Sequence, residues 1–190
     1  MGPLRDVWHE ATGRCSLCPL RGNRIVPADG PPEPLLVVVG EAPGEKEVEI
    51  GKPFVGPAGE NLRAALDLVD IDVGSVHFTN ATLCYPGRDV VAGEYNHPST
   101  EAVNACRARV LREIQATFAT KVLAAGGYAG RSLTGRTVVI ETSRCVVAGP
   151  LQRHLLGDGV DVGLTYHPKA RRRNPIADVA DDLRCLLARP

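Results

Sequence analysis

The sequence predicts an α/β fold of three layers (α/β/α), a mainly parallel four-stranded sheet covered by helices on both faces. Three observations carry this expectation. Short apolar runs alternate along the chain with stretches whose apolar residues recur at helical spacing, the pattern of parallel strands joined by helical crossovers. The longest apolar run, Leu35-Leu36-Val37-Val38-Val39, ends at Gly40 and has no polar side, as a strand buried on both faces requires. No internal repeat or linker-like stretch interrupts the 190 residues, so residues 1–190 read as one domain, long enough for a proper core.

Taken in order, residues 3–13 form a short helix leading into Cys15, and residues 19–34, rich in Pro, Gly and Arg, form a loop. After the strand Leu35–Gly40 comes a glycine-rich loop from Glu41 to Gly59. Leu62, Ala65, Leu66 and Val69 recur at helical spacing and predict a helix over 57–70. Ser75–Asn80 is a second strand, and 84–98 a long polar loop. Residues 99–119 form a helix with Ser99 as its N-cap. Lys121–Ala125 is the third strand, Gly126–Leu133 a short helix, and Thr137–Val147 one or two outer strands. Asp161–Tyr166 is the fourth inner strand, stopped by His167-Pro168. Residues 175–189 close the chain as a helix with Ile176, Val179, Ala180, Leu183 and Leu187 on one face.

Composition narrows the function classes. Aromatics make up 4% of the chain, so Val, Leu, Ala and Ile must build the core. Formal net charge is zero, so nucleic-acid binding would need a local basic patch. One exists at Lys169, Arg171, Arg172 and Arg173. Taken alone it reads equally as a solvated helix end, and Asp178, Asp181 and Asp182 cancel it in the total. No stretch reaches the roughly 20 apolar residues of a membrane span, and MGPLRDVWHE is not a secretion signal. The expected location is cytoplasmic, with no membrane partner. The six cysteines are then not expected to form structural disulfides.

In parallel sheets, ligands bind at the carboxyl ends of the strands. The chemically unusual segments, Glu41–Gly59, Asn80–Cys84 and His167–Arg173, all fall there. Cys15 and Cys18 form a C-x-x-C pair with Cys84 and Cys106 far downstream. Such a pair is a redox dithiol, half a zinc site or half a cluster site. It precedes the first strand, which counts against the dithiol. Four thiolates suit zinc or a [4Fe–4S] cluster alike, and spacing does not separate the two. Cys145 and Cys185 read as small buried hydrophobes. The glycine-rich loop matches no phosphate-binding pattern. Its glutamates 41, 45 and 47 suit an uncharged or cationic ligand, or the handling of water.

The segments GEAPGE (40–45) and GKPFVGPAG (51–59) resemble motif 1 of the family 4 uracil-DNA glycosylases. The resemblance continues through FTN (78–80), the four cysteines, HP (167–168) and RNP (173–175), and covers nearly the whole chain. It implies an α/β/α fold, a [4Fe–4S] cluster on Cys15, Cys18, Cys84 and Cys106, and uracil-containing DNA, single- or double-stranded, as substrate. It implies a site in which Phe54, with little core around it, stacks on the flipped base. Asn80 accepts from uracil N3–H and donates to O4, a pattern cytosine reverses. His167 stabilises the leaving anion at O2, and Glu41 positions water or balances the sugar cation. Gly40 and Ala42 would contact substrate, Glu45 and Glu47 are secondary acids, and Lys169 with Arg171–Arg173 would meet the DNA. A monomer suits this work.

The chain also departs from that family. Val48 stands where an acid is common, which removes a possible loop anchor. Lys169, Ala170, Arg171 and Arg172 replace Ala, Tyr and the leucines that wedge into the base stack, and arginine is a poorer wedge. The loop between Cys84 and Cys106 is long. In a related branch of the superfamily a histidine in this loop captures the deoxyribose covalently, and His97 lies in the corresponding region. The basic stretch around that branch's histidine is missing here and the register is shifted, so His97 itself reads as a solvated loop residue. A protein that binds uracil-containing DNA and either traps the abasic sugar covalently through His97 or senses uracil without turnover, and a glycosylase for another deaminated base such as hypoxanthine, are the other readings.

Overall fold

The structure is a computed structural model that describes residues 15–88, 96–145, 156, 159–168 and 174–188. Four strands, β1 (Leu36–Gly40), β2 (Val76–Asn80), β3 (Lys121–Ala125) and β4 (Asp161–Thr165), form one sheet in the order β2-β1-β3-β4, every pair parallel. Among the described residues, the helices with full bounds are α1 (Glu45–Ile50), α2 (Pro57–Asp67), α3 (Thr100–Thr117), α4 (Gly127–Thr134), α5 (Ile140–Ser143) and α6 (Pro175–Leu187). All five residues of β1 are buried, as its unbroken apolar run requires.

Alternation along the strands divides the core in two. Leu36 and Val38 of β1, with Phe78 and Leu123, pack against Leu62 and Leu66 of α2 and Val179, Leu183 and Leu186 of α6. Val37 and Val39, with Val122 and Leu164, pack against Val110 and Ile114 of α3 and Leu133 of α4. The expected three-layer α/β/α arrangement is therefore observed. Because the chain leaves β1 for β2 on one side and returns to β3 on the other, the strand order reverses at β1. Such a switch point is where a crevice opens in an open parallel sheet.

Several local expectations change. The glycine-rich loop contains a helix, α1, whose six residues are too few to show a periodic signal. The loop after Cys18 runs antiparallel to β2: Asp29 and Phe78 exchange backbone hydrogen bonds at 3.0 and 2.8 Å, and Val26 N donates to Leu83 O at 2.9 Å. This covers an otherwise open sheet edge. The outer strands expected over Thr137–Val147 are absent among the described residues; Ile140–Ser143 is a short helix instead. Buried Ile140 belongs to the core cluster beside α3 and α4, with Val138 against it. Arg144 is drawn to Asp178 and Asp182 of α6 at 3.2 and 3.0 Å. These contacts override the β-branched run Thr137-Val138-Val139-Ile140. The expectation of no disulfide is also corrected: the sulfurs of Cys145 and Cys185 are bonded, with Cα atoms 5.9 Å apart, and tie this segment to α6. Ser99 caps α3 as expected, accepting from Ala102 N at 3.2 Å. The helix expected over 3–13 lies outside the described residues.

Candidate active site

A cavity of about 570 Å³ opens at the carboxyl end of β1. It is lined by the turn Glu41–Glu47, by Gly56–Ala58 at the start of α2, by Tyr85, Asn96 and His97, and by His167 beyond β4. Glu41, Ala42, Glu45, Glu47, His97 and His167, six residues singled out in the sequence, thus meet at one cavity although they lie up to 126 positions apart. Lys169 and Arg171–Arg173 lie outside the described residues.

The turn that carries Glu41 is tied down by its own backbone. Ala81 N donates to Gly40 O at 2.8 Å and Thr82 N to Glu41 O at 3.2 Å, so β2 continues to grip β1 past the last strand residue. Glu47 completes the anchoring. Its carboxylate accepts from Gly44 N at 3.1 Å and from Gly56 N at 2.8 Å, the N-caps of α1 and α2. One anion therefore satisfies the amide ends of two helices, where the backbone dipoles favour negative charge. Glu47, a secondary acid in the sequence, is the loop's brace. That brace leaves the Val48 position without an anchoring task. Glu45 is half-exposed, with Tyr85 Oη at 3.5 Å and Arg88 Nη1 at 3.7 Å.

Glu41 and His97 form a pair. His97 Nδ1 lies 2.5 Å from Glu41 Oε1, and the imidazole stacks on Tyr128 of α4 with ring centroids 5.7 Å apart. The His97 side chain is 70% exposed while Glu41 is 15% exposed. His97 is a solvent-exposed loop residue as expected, and it also has two partners at the cavity wall, Glu41 and Tyr128. His167 packs over Gly126, and Asn61 Nδ2 donates to the next residue's carbonyl, Pro168 O, at 2.8 Å.

Gly40, Phe54 and Asn80 form a compact trio beside the cavity and are not among the residues that line it. A methyl group on Gly40 would collide with Asn80 Oδ1 and the Phe54 ring, so only glycine lets ring and carboxamide meet there. Phe54 adopts a left-handed backbone, φ 56°, unusual for a non-glycine residue. Its carbonyl accepts from Arg63 Nη1 and leaves no room for a side chain at Gly59. The expectation that Phe54 has little core around it is corrected. It is 6% exposed, packs on Phe78 at 5.4 Å and joins the cluster of β1, α2 and α6. Asn80 is 4% exposed, so its carboxamide and the Phe54 ring lie close together in a tightly packed corner.

The cysteines converge from three segments. Cys18 packs on Ala102 and Ala105 of α3, beside Cys106 on the same helix. Cys84 pairs through its backbone with the Ile25 region. Burial pushes the Cys84 thiol up to about 11, and the neighbouring Cys106, Cys18 and Cys15 sulfurs push in the same direction. Burial likewise raises Cys106, against the pull of Arg109. Among the described residues no three His, Cys, Asp or Glu side chains close to the spacing of one bound metal ion. The donor chemistry is nevertheless that of a thiolate site: four cysteines outside the disulfide, three of them buried, whose negative forms disfavour one another without a cation to compensate.

Two residues at this end of the sheet escaped the sequence reading. Tyr128 carried no pattern beyond its position after β3. Arg109 did carry one, a charge in phase with the buried Ala102, Ala105 and Cys106 on α3. Among the described residues no helix is long and apolar enough to cross a membrane.

Residues 27–186 match the uracil DNA glycosylase superfamily. The chain is 33% identical over 172 residues to a Type-4 uracil-DNA glycosylase of Pyrobaculum aerophilum, a match covering 88% of this chain and 84% of that protein. It is 32% identical over 174 residues to the Type-4 uracil-DNA glycosylase of Thermotoga maritima, covering 90% and 84%. The corresponding protein of Archaeoglobus fulgidus is 29% identical over 173 residues, covering 90% and 83%.

Proposed function

From the premise that the chain belongs to the uracil DNA glycosylase superfamily, we propose that it hydrolyses the N-glycosidic bond of deoxyuridine in DNA and leaves an abasic site. The observation that carries this reading is the meeting of Glu41, His97 and His167 at one cavity beside the Gly40–Phe54–Asn80 trio. A uracil flipped from the strand stacks on Phe54, and Asn80 accepts from its N3–H and donates to its O4. As the bond between C1′ and N1 breaks, its electron pair leaves with uracil, and His167 donates to the charge gathering at O2. Glu41 holds the water whose oxygen bonds to C1′, takes the proton that water gives up, and steadies the cationic sugar. Gly40 and Ala42 let the base approach the backbone. Lys169 and Arg171–Arg173 contact the phosphates, and the small cost of unstacking single strands favours them as substrate. The protein acts as a single-domain monomer in the cytoplasm.

Cys15, Cys18, Cys84 and Cys106 are the residues that would hold a [4Fe–4S] cluster. When bound, it supplies a structural crosslink between the N-terminal segment, the loop after β2 and α3.

Oligonucleotides with a single uracil, single- and double-stranded, test the reading. Alkali should cleave both at the uracil after incubation with the cluster-loaded protein, and full-length strands from both would overturn it.

A second reading is favoured by one observation, His97 held 2.5 Å from Glu41 at the cavity wall. In it, the free His97 nitrogen bonds to C1′ as uracil departs, and the protein stays joined to the sugar. A protein–DNA band that survives denaturation and disappears in His97→Ala would establish it; its absence with wild-type protein would exclude it.

A further inference from the structure

Arg109 sends every assigned hydrogen bond of its guanidinium to two places, and one of them is the backbone of the base-reading strand end. It is 3% exposed and sits one turn after Cys106. Nη2 donates to Asn80 O at 2.5 Å and to Ala81 O at 3.3 Å. Nη1 donates to Thr79 Oγ1 at 2.9 Å and to Glu113 Oε2 at 2.5 Å. Glu113 is held from the other side by His77 Nε2 at 3.1 Å. Three successive residues at the end of β2 are thus bonded to one buried cation. The backbone there already pairs with β1 through Ala81 N and Gly40 O at 2.8 Å, so the sheet does not need a buried charge to close. A buried ion pair seldom stabilises a fold more than apolar residues of the same volume. Its use is better sought in orientation.

A carboxamide turned by 180° presents cytosine's complement instead of uracil's. The orientation of Asn80 is therefore the choice of base, and that orientation depends on the backbone that carries it. We propose that Arg109 is the positioning residue for this choice. By gripping the carbonyls of Asn80 and Ala81 it keeps Oδ1 of Asn80 against Gly40, where the side chain accepts from N3–H rather than donating. The proposal rests on the reading of Asn80 as the base reader.

The test compares inhibition of oligonucleotide cleavage by free uracil and by free cytosine in wild type, Asn80→Ala, Arg109→Lys, Arg109→Met and the double variant Arg109→Met/Glu113→Gln. The double variant removes both charges together and so avoids stranding a buried carboxylate. Circular dichroism and visible absorption check fold and cluster, and binding of the free bases by calorimetry supplies the ratio where cleavage is too slow. The expected result is a uracil-to-cytosine preference reduced by about tenfold or more in the double variant. Arg109→Lys should recover part of it, since an ammonium reaches one carbonyl but cannot fork to both. A purely structural arginine would lower the melting temperature and leave the ratio unchanged. An unchanged ratio in the folded double variant, beside a collapsed ratio in Asn80→Ala, overturns the role of Arg109. An unchanged ratio in Asn80→Ala overturns the reading of Asn80 instead. Should the double variant not fold, Arg109→Lys decides: a wild-type ratio there contradicts the proposal.

Discussion

Glu113 is partly buried between Arg109 and His77, and its acidity reports on that setting. Burial alone pushes its carboxyl up, but Arg109 and His77 outweigh burial and hold it at about 2, below its ordinary 4.5. A carboxylate whose pKa falls on folding adds stability that is complete above its unfolded value and is lost as pH drops through the folded one. The protein should therefore lose stability between about pH 4.5 and about pH 2. Glu113→Gln should be less stable at neutral pH and flatter across that window. Equilibrium unfolding at stepped pH measures this, and parallel curves for the two proteins would contradict it. Gly40 is the other residue with a sharp expectation. Gly40→Ala should cost about 1–3 kcal/mol through overpacking, and uracil release should fall at least about tenfold because Asn80 and Phe54 are displaced. Glycine's role here was visible in the sequence only as membership of a motif; the three-body contact that requires it joins residues 40, 54 and 80.

Among the elements, the turn from Glu41 to Gly56 illustrates how a loop lining the cavity is made rigid. Glu47 ties the N-caps of α1 and α2 to each other. Glu47→Ala should lower stability by about 1–2 kcal/mol, as losing a helix cap does. Glu47→Gln, which keeps an acceptor for one of the two amides, should fall between. If Glu47 were instead a proton acceptor in the reaction, Gln and Ala would depress the rate equally while stability stayed near wild type; melting curves and rates on the same samples separate the two. The sequence made the long elements legible because β1 is uniformly apolar and α2, α3 and α6 are amphipathic over three turns or more. It hid α1 for lack of length and misread Thr137–Ile140, whose β-branched residues favour a strand locally. Contacts to α3, α4 and α6 decide that segment, and those are invisible before the chain folds. Likewise the motif residues could be read singly, but not that His97 pairs with Glu41 across 56 positions.

For the molecule as a whole, a sheet whose strand order reverses at β1 puts the cavity at one end, and Cys84 lies on the segment that leaves β2 at that end. Burial raises both the Cys84 and the Cys106 thiols, and Cys106 adds to the effect on Cys84, so thiolates there would be stabilised by the positive charge of a bound cluster. Purified protein should be brown, absorbing near the visible–ultraviolet boundary. Cys106→Ala should lose the colour and melt at lower temperature, and a colourless protein with stoichiometric zinc would contradict the cluster. The central claim is multiple-turnover removal of uracil, and the most direct measurement of it is the amount of free uracil released per protein molecule from a uracil-containing oligonucleotide in excess. The predicted result is many equivalents of uracil for each protein, abolished in Glu41→Ala/His167→Ala. Release that stops at one equivalent, or no release at all, would contradict it.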